Sequence, residues 1–232
     1  MNRIALAIVL VVCGFATSLL AQAPTTAPTS QPISGKLGTP IELFNGKDFS
    51  GWTWYAQTGG KMEDTWSIKD GAMHMTGKPT GYLRTDKDYE PNFILIVEQR
   101  HLERGGGGIL FGITGPDKEW PKTMQVQGSV GAVGDLVNQG GFPWVTDPSR
   151  FRKDADGVTT RVTKIGPTSE KPMGEFYTVE TIVDHGTVTV KVNDKIQNIV
   201  SGMPDLTGKI GFQAEGAAME FRKVQLIPIE PK

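Results

Sequence analysis

The sequence contains a single cysteine, Cys13, among its 232 residues. Cys13 lies in an apolar leader, so a chain without that leader has no thiol nucleophile and can form no internal disulfide. Runs of one charge are also missing, because the formal net charge is −1 and no more than two Lys or Arg residues are consecutive. Nucleic acid and an anionic membrane surface are therefore not expected as partners.

Long apolar runs are absent except at the N-terminus. A basic start at Met1–Arg3 is followed by an apolar stretch from Ile4 to Leu20 and by the small residues Ala21-Gln22-Ala23. This order is typical of a secretory signal peptide. We expect residues 1–21 to be removed, the protein to be secreted or periplasmic, and no membrane insertion after removal of the signal.

Large apolar side chains are scarce in residues 22–38, which are rich in Pro, Thr and Ser. Such a segment cannot bury enough surface to fold, so we interpret it as a disordered linker. Residues 39–230 then form one domain, since a stretch of about 190 residues suits a single core.

Helical periodicity is nearly absent after the linker. About thirteen short alternating segments, bounded by Gly, Asp and Asn, recur instead. His185-Gly186 and Asn193-Asp194 are placed between such segments, as hairpin turns require. So many short strands predict an all-β, two-sheet antiparallel jelly roll or lectin-like sandwich, and no repeat indicates propeller blades.

Several chemical signatures are missing as well. His74, His101 and His185 show no zinc spacing, and no Gly-x-Ser-x-Gly elbow is present. Residues 154–157, Asp-Ala-Asp-Gly, resemble the start of a calcium loop but lack its later acidic ligand, which favours a solvated turn. We predict no cofactor from these patterns.

What the sequence does offer is polar pairs that alternate with apolar residues in three predicted strands. The pairs are Glu98 and Arg100, Gln125 and Gln127, and Gln213 and Glu215. Residues i and i+2 of a strand share a face, so each pair can lie opposite the core. A concave face with amide, carboxylate and guanidinium groups suits sugar hydroxyls. The alternative is the ordinary solvated face of an antiparallel sheet.

Aromatic residues in loop-like surroundings give a second indication of a saccharide ligand. Trp120 and Trp144 are candidates to stack on sugar rings, whereas Trp52 is either a core anchor or a third such platform. The expected partner is an oligosaccharide or glycoside.

Six stretches, in this order, resemble the 3-keto-disaccharide hydrolase family, also described as the 3-keto-alpha-glucoside 1,2-lyase/3-keto-2-hydroxy-glucal hydratase domain. They are IELFNGKDFSGW, WSIKDGAMHM, NFILIVEQR, GILFGITGPDKEWPKTMQVQ, SEKPMGEFYTVETIVD and GKIGFQAEGAAMEFRKVQLIPI. The resemblance implies a concanavalin A-like jelly roll, export, and action on glycosides that carry a ketone at C3.

The resemblance also implies site residues. A C3 ketone acidifies the C2 proton, so cleavage needs a base and a group that stabilises the oxyanion. Asp135 or Glu215 is the candidate base, and Arg100 is the candidate oxyanion stabiliser, oriented by Glu98. The hydroxyl-binding candidates are Gln125, Gln127 and Gln213.

Two positions depart from the family pattern. Gly106-Gly107 stands where relatives usually have Asn-Ser, and Gln125 stands where they have Glu. A glutamine cannot accept a proton as a base, so the alternative function is a non-catalytic, lectin-like binding module. A divalent cation could also bind through oxygen if the carboxylates of Asp135, Glu98 and Glu215 converge.

Overall fold

The alternating segments form seventeen β-strands and one short helix in the structure, a computed structural model that describes residues 29, 31–57 and 59–232. The elements are β1 (Lys36–Leu37), β2 (Ile41–Glu42), β3 (Trp52–Ala56), α1 (Met62–Thr65), β4 (Trp66–Lys69), β5 (Ala72–Met75), β6 (Gly81–Thr85), β7 (Phe93–His101), β8 (Gly106–Thr114), β9 (Lys122–Gln127), β10 (Leu136–Asn138), β11 (Phe151–Lys153), β12 (Thr160–Val162), β13 (Tyr177–Asp184), β14 (Thr187–Val192), β15 (Lys195–Val200), β16 (Lys209–Glu215) and β17 (Met219–Glu230).

The strands divide between two antiparallel sheets. The nine-stranded sheet has the order β15-β14-β13-β7-β17-β5-β4, with β1 and β2 also paired to β17. The eight-stranded sheet has the order β11-β12-β10-β9-β8-β16-β6-β3. The two-sheet antiparallel jelly-roll prediction is therefore confirmed.

Turn chemistry fixes the register at one end of the nine-stranded sheet. His185 and Gly186 join β13 to β14 with φ values of 46° and 73°, and Asn193 and Asp194 join β14 to β15 with φ values of 47° and 63°. Both residues of each turn are left-handed, as a type I′ hairpin requires. These are the turns that the sequence predicted.

The core lies between the sheets and is rich in stacked aromatic rings. Phe212 of the eight-stranded sheet stacks on Phe221 of the nine-stranded sheet, with ring centroids 4.3 Å apart. Trp52 is only 6% exposed and its indole N–H donates to the Leu43 carbonyl oxygen at 2.8 Å. Of the two interpretations of Trp52, the core anchor is therefore the one observed.

The structure differs from the predicted linker at its C-terminal end. Lys36 and Leu37 pair with Glu230 and Ile229 of β17, and the Ser34 N–H donates to the Asp184 carboxylate at 2.8 Å. Backbone pairing requires no large side chain, so composition alone could not locate this strand. The predicted signal peptide and residues 22–28 and 30 of the linker lie outside the described residues.

In the part of the chain that the structure describes, no helix is both long and apolar enough to cross a bilayer.

Candidate functional site

The site lies on the outer face of the eight-stranded sheet. In β9, Met124 and Val126 are buried in the core, so Gln125 and Gln127 point to the other side. Cross-strand pairing sets Gly108 of β8 between Gln127 of β9 and Gln213 of β16. Strands β9, β8 and β16 therefore bring the glutamines together across a position that has no side chain.

These glutamines line a cavity of about 210 Å³. Its wall consists of glutamine amides, the carboxylates of Glu215 and of the turn between β11 and β12, and the indole of Trp120. The lining residues are Trp120, Gln125, Gln127, Gln139, Asp154, Asp156, Thr159, Arg161, Gln213 and Glu215. The lining is polar, which suits a hydroxylated ligand.

Gln125 is the centre of an amide network. It is 2% exposed, and its Nε2 donates to Gln213 Oε1 at 2.7 Å and to the Gly107 carbonyl oxygen at 3.2 Å. Gln139 Nε2 donates in turn to Gln125 Oε1 at 3.1 Å. Because every one of these bonds passes through Gln125, that residue fixes how the neighbouring amides face the cavity.

Gly108 makes room for this network. A Cβ atom at Gly108 would lie 2.3 Å from Gln125 Nε2 and 2.9 Å from its Cδ. Any larger residue would push the Gln125 side chain out of its place. Gly108 therefore leaves the space that the Gln125 amide occupies beside the cavity.

Glu215 ends β16 at the edge of the cavity. The residue is exposed at this edge, yet the protein that surrounds its carboxyl on one side raises the pKa by desolvation, and the positive charge of Arg161 opposes that shift. Among the described residues, none hydrogen-bonds the Glu215 carboxylate strongly enough to affect its pKa. A carboxylate with a raised pKa in a polar cavity is suited to accept and return a proton.

Arg161 comes from β12 and is held by a carboxylate of the adjacent turn. Its Nε donates to both oxygens of Asp154, at 2.8 and 3.0 Å. Asp156 instead accepts hydrogen bonds from the Thr159 hydroxyl at 2.5 Å and from the backbone N–H groups of Val158 and Thr159 at 2.9 and 2.8 Å, and these lower its pKa. Both carboxylates therefore form hydrogen bonds within the turn or to the adjoining strand. The sequence predicted a solvated turn at this position.

A loop that follows β8 carries Trp120 to the other side of the cavity. Asp117 anchors this loop, since its carboxylate accepts hydrogen bonds from the Tyr82 hydroxyl at 2.8 Å and from Arg84 Nε at 3.0 Å. Both contacts hold the pKa of Asp117 below its usual value, against the opposing effect of burial. Trp120 itself is 38% exposed, so its ring is available to a ligand.

The structure thus brings together five of the residues selected from the sequence. They are Trp120, Gln125, Gln127, Gln213 and Glu215. Parity within β9 and β16 selected the three glutamines and Glu215, and loop-like surroundings selected Trp120.

Glu98 and Arg100 lie elsewhere, and the prediction that they share this face is wrong. Both belong to β7 of the nine-stranded sheet, where Glu98 accepts from Arg222 Nε at 2.8 Å and Arg100 Nε donates to Glu220 at 2.7 Å. Arg100 also lies 4.4 Å from the centre of the Phe176 ring. Parity specifies the face within a strand but does not specify the sheet to which the strand belongs.

Asp135 and Trp144 do not line the cavity either. Asp135 is a backbone neighbour of Gln127, whose N–H donates to its carbonyl oxygen at 2.9 Å, but its carboxylate accepts from the Lys164 N–H at 2.8 Å. Trp144 lines a separate apolar recess with Phe151. Within the described ranges no three His, Cys, Asp or Glu side chains are grouped to hold a metal ion.

Three residues that line the cavity, Gln139, Thr159 and Arg161, were not selected from the sequence. Arg161 alternates with Thr159 in a predicted strand, so the same parity filter could have selected it. Gln139 follows β10 directly and had no such pattern. The sequence alone does not reveal that β12 pairs with β10 and that β10 pairs with β9.

Comparison with solved structures supports the architecture. A candidate glycosyl hydrolase from Parabacteroides distasonis aligns with a TM-score of 0.60 at 21% identity, covering 82% of this chain and 94% of that one. A β-glucanase from Bacillus licheniformis gives 0.55 at 14% identity, covering 83% and 99%. The carbohydrate-binding module CBM66 from Bacillus subtilis gives 0.52 at 12% identity, covering 75% and 94%. A search of curated proteins found no match.

The fold and the polar cavity define a carbohydrate-related jelly-roll domain of the glycosyl hydrolase-like or carbohydrate-binding type. The chain belongs to the family of 3-keto-alpha-glucoside-1,2-lyase-like domains, which it matches over residues 39–227.

Proposed function

We propose that this protein is exported and cleaves 3-keto-glycosides by eliminating the substituent at C1 and hydrating the product. The observation that carries the proposal is the position of Glu215, a carboxyl of raised pKa close to Arg161 in a cavity lined by glutamines. Family membership supplies the substrate class.

The chemistry needs only one proton carrier. Glu215 removes the C2 proton, the C–H electron pair forms the C1–C2 double bond, and the C1–O bond breaks with its electrons on the leaving oxygen. Protonated Glu215 then gives that proton to the leaving oxygen. In hydration, Glu215 takes a proton from the water that attacks C1 and returns it at C2, so the overall reaction is hydrolysis.

Arg161 takes the role that the sequence interpretation gave to Arg100. Removal of the C2 proton places negative charge on the C3 oxygen, and a guanidinium held in position by Asp154 stabilises that charge. Gln125, Gln139 and Gln213 present donors and acceptors to the remaining hydroxyls.

The test uses purified protein with a 3-keto-glucoside and with the unoxidised glucoside. We expect only the 3-keto-glucoside to be cleaved. In deuterated water the released 3-keto-glucose should carry deuterium at C2, which NMR detects. Cleavage without deuterium at C2, or cleavage of the unoxidised glucoside alone, would contradict the elimination route.

The proposed export has its own test. Protein recovered from the medium or the periplasm of the source organism should begin at Gln22 when its N-terminus is sequenced. Full-length protein confined to the cytoplasm would rule out the proposed localisation.

Replacing Arg161 by Met should change the pH dependence of turnover. Glu215 acts in its ionised form, so activity falls as pH drops through its pKa. Loss of the nearby positive charge raises that pKa further, and the acidic limb of kcat/KM moves to higher pH. Arg152→Met, on the neighbouring strand β11, is the control and should leave the limb in place. An unshifted limb in the Arg161 variant would argue against Glu215 as the base.

Replacing Gly108 by Ala should weaken ligand binding without removing any polar group. The added methyl occupies the space of the Gln125 amide, so the network that faces the cavity is displaced. We expect the Kd for a 3-keto-disaccharide to rise about tenfold, the loss of about one hydrogen bond. Gly166→Ala is the control, because a Cβ there meets nothing within 4 Å. Equal Kd values for the two variants would refute this role of Gly108.

A second candidate function is a non-catalytic carbohydrate-binding module. It is favoured by Gln125, which cannot act as a base, and by the likeness to CBM66. Calorimetry with plain and 3-keto disaccharides separates the two functions. Binding with no product from either sugar supports the module.

A further inference from the structure

The cavity continues into a second recess on the far side of Glu215. This recess has a volume of about 540 Å³ and is lined by Arg104, Gly105, Gly106, Gln127, Ser129, Val130, Arg161 and Glu215. Three of these residues, Gln127, Arg161 and Glu215, also line the smaller cavity. The two spaces therefore meet at the residues that carry the proposed chemistry.

The two halves differ in what they offer a ligand. The smaller half, about 210 Å³, holds the amide network and the Trp120 ring. Its volume is below the range of about 300 to 1,000 Å³ that is usual for drug-sized ligands, which fits a single sugar ring. Such a dense set of donors and acceptors discriminates between hydroxyl patterns.

The larger half has few groups that could discriminate. Gly105 and Gly106 contribute no side chains, Ser129 and Val130 belong to a surface loop, and Arg104 is exposed. A Cβ at Gly106 would lie 3.2 Å from a Glu215 carboxylate oxygen, so the bare backbone runs directly past the proposed base. The floor of this half is therefore flat and open to groups of different shape.

We propose, on the basis of the proposed function, that the smaller half binds one terminal 3-keto-sugar ring and that the larger half accepts leaving groups of varied size. The protein would then act on chain ends and on simple glycosides, with the scissile bond at Glu215 and Arg161. Specificity resides in the sugar ring and not in the group that leaves.

The test compares a methyl 3-keto-glucoside with a 3-keto-disaccharide, which share the ring and differ in the leaving group. In Ser129→Trp the new indole fills the larger half, so kcat/KM for the disaccharide should fall about tenfold relative to the methyl glycoside. In Trp120→Ala both substrates should lose activity by the same factor. Lys69→Trp, on the exposed edge strand β4, is the control for an added indole.

Two results would overturn the division of the groove. One is that Ser129→Trp changes kcat/KM equally for the two substrates, or for neither. The other is that the wild-type protein cleaves substrates with only one kind of leaving group. If the wild-type protein cleaves neither substrate, the proposed function fails. Calorimetry with the same ligands still decides the division, because Ser129→Trp must weaken the disaccharide more than the methyl glycoside.

Discussion

Glu215→Gln is expected to lower turnover of a 3-keto-glucoside by about 10²- to 10⁴-fold, the usual contribution of a general acid or base. The substitution keeps the size and the polarity of the side chain but removes its ability to carry a proton. Since Glu215 is the proposed carrier in both elimination and hydration, deuterium incorporation at C2 should fall by the same factor. Steady-state kinetics and NMR measure the two quantities.

Glu98→Gln is the matched control. Glu98 lies on the nine-stranded sheet and pairs with Arg222, away from the cavity. We expect the Glu98 variant to retain full turnover. Full activity in the Glu215 variant would remove Glu215 from the mechanism, and an equal loss of activity in the Glu98 variant would show that the loss is not specific to the cavity.

The Glu215 variant should also remain folded, because burial raises the pKa of this carboxyl. A raised pKa in the folded state means that the folded protein binds more protons than the unfolded chain, so stability falls as pH rises above the unfolded pKa. A glutamine does not ionise, so the variant does not lose stability in this way as pH rises. We expect its Tm to equal or exceed that of the wild-type protein near pH 7, with a smaller difference near pH 4, by circular dichroism.

Gln125→Glu is expected to destabilise the protein by about 1–3 kcal/mol and to give no gain in turnover. The Gln125 amide donates to the Gly107 carbonyl oxygen, and a carboxylate cannot. Gln213 can turn its own amide to face the new carboxylate, but the Gly107 carbonyl is fixed in β8. The substitution therefore leaves a buried acceptor opposite a buried negative charge.

The loss should depend on pH. A buried carboxylate without enough donors has a folded pKa above its unfolded value of about 4.3, so the destabilisation grows as pH rises through that window. Urea unfolding at pH 4 and pH 7 measures it. Gln31→Glu, at an exposed position, is the control and should show little effect. Unchanged stability together with a gain in turnover would instead favour the view that the natural chain is a binding module.

The sequence contained enough information for the fold class and for half of the site. Alternation in β9 and β16 identified Gln125, Gln127, Gln213 and Glu215 because a strand with one buried face sends every second side chain to the other side. The same rule selected Glu98 and Arg100, but these two residues do not belong to the site. Those two side chains do point away from the core, but they do so from the other sheet.

The local pattern by itself determined the strands, the hairpin turns and the side of each strand that is buried, because these depend on residues close together in the chain. The tertiary structure alone decided that β12 joins β10 and brings Arg161 to Glu215, and that the loop after β8 carries Trp120 across the cavity. Strand order in an antiparallel sandwich depends on pairing between distant segments, and alternating patterns in different strands are too alike to specify which will be neighbours.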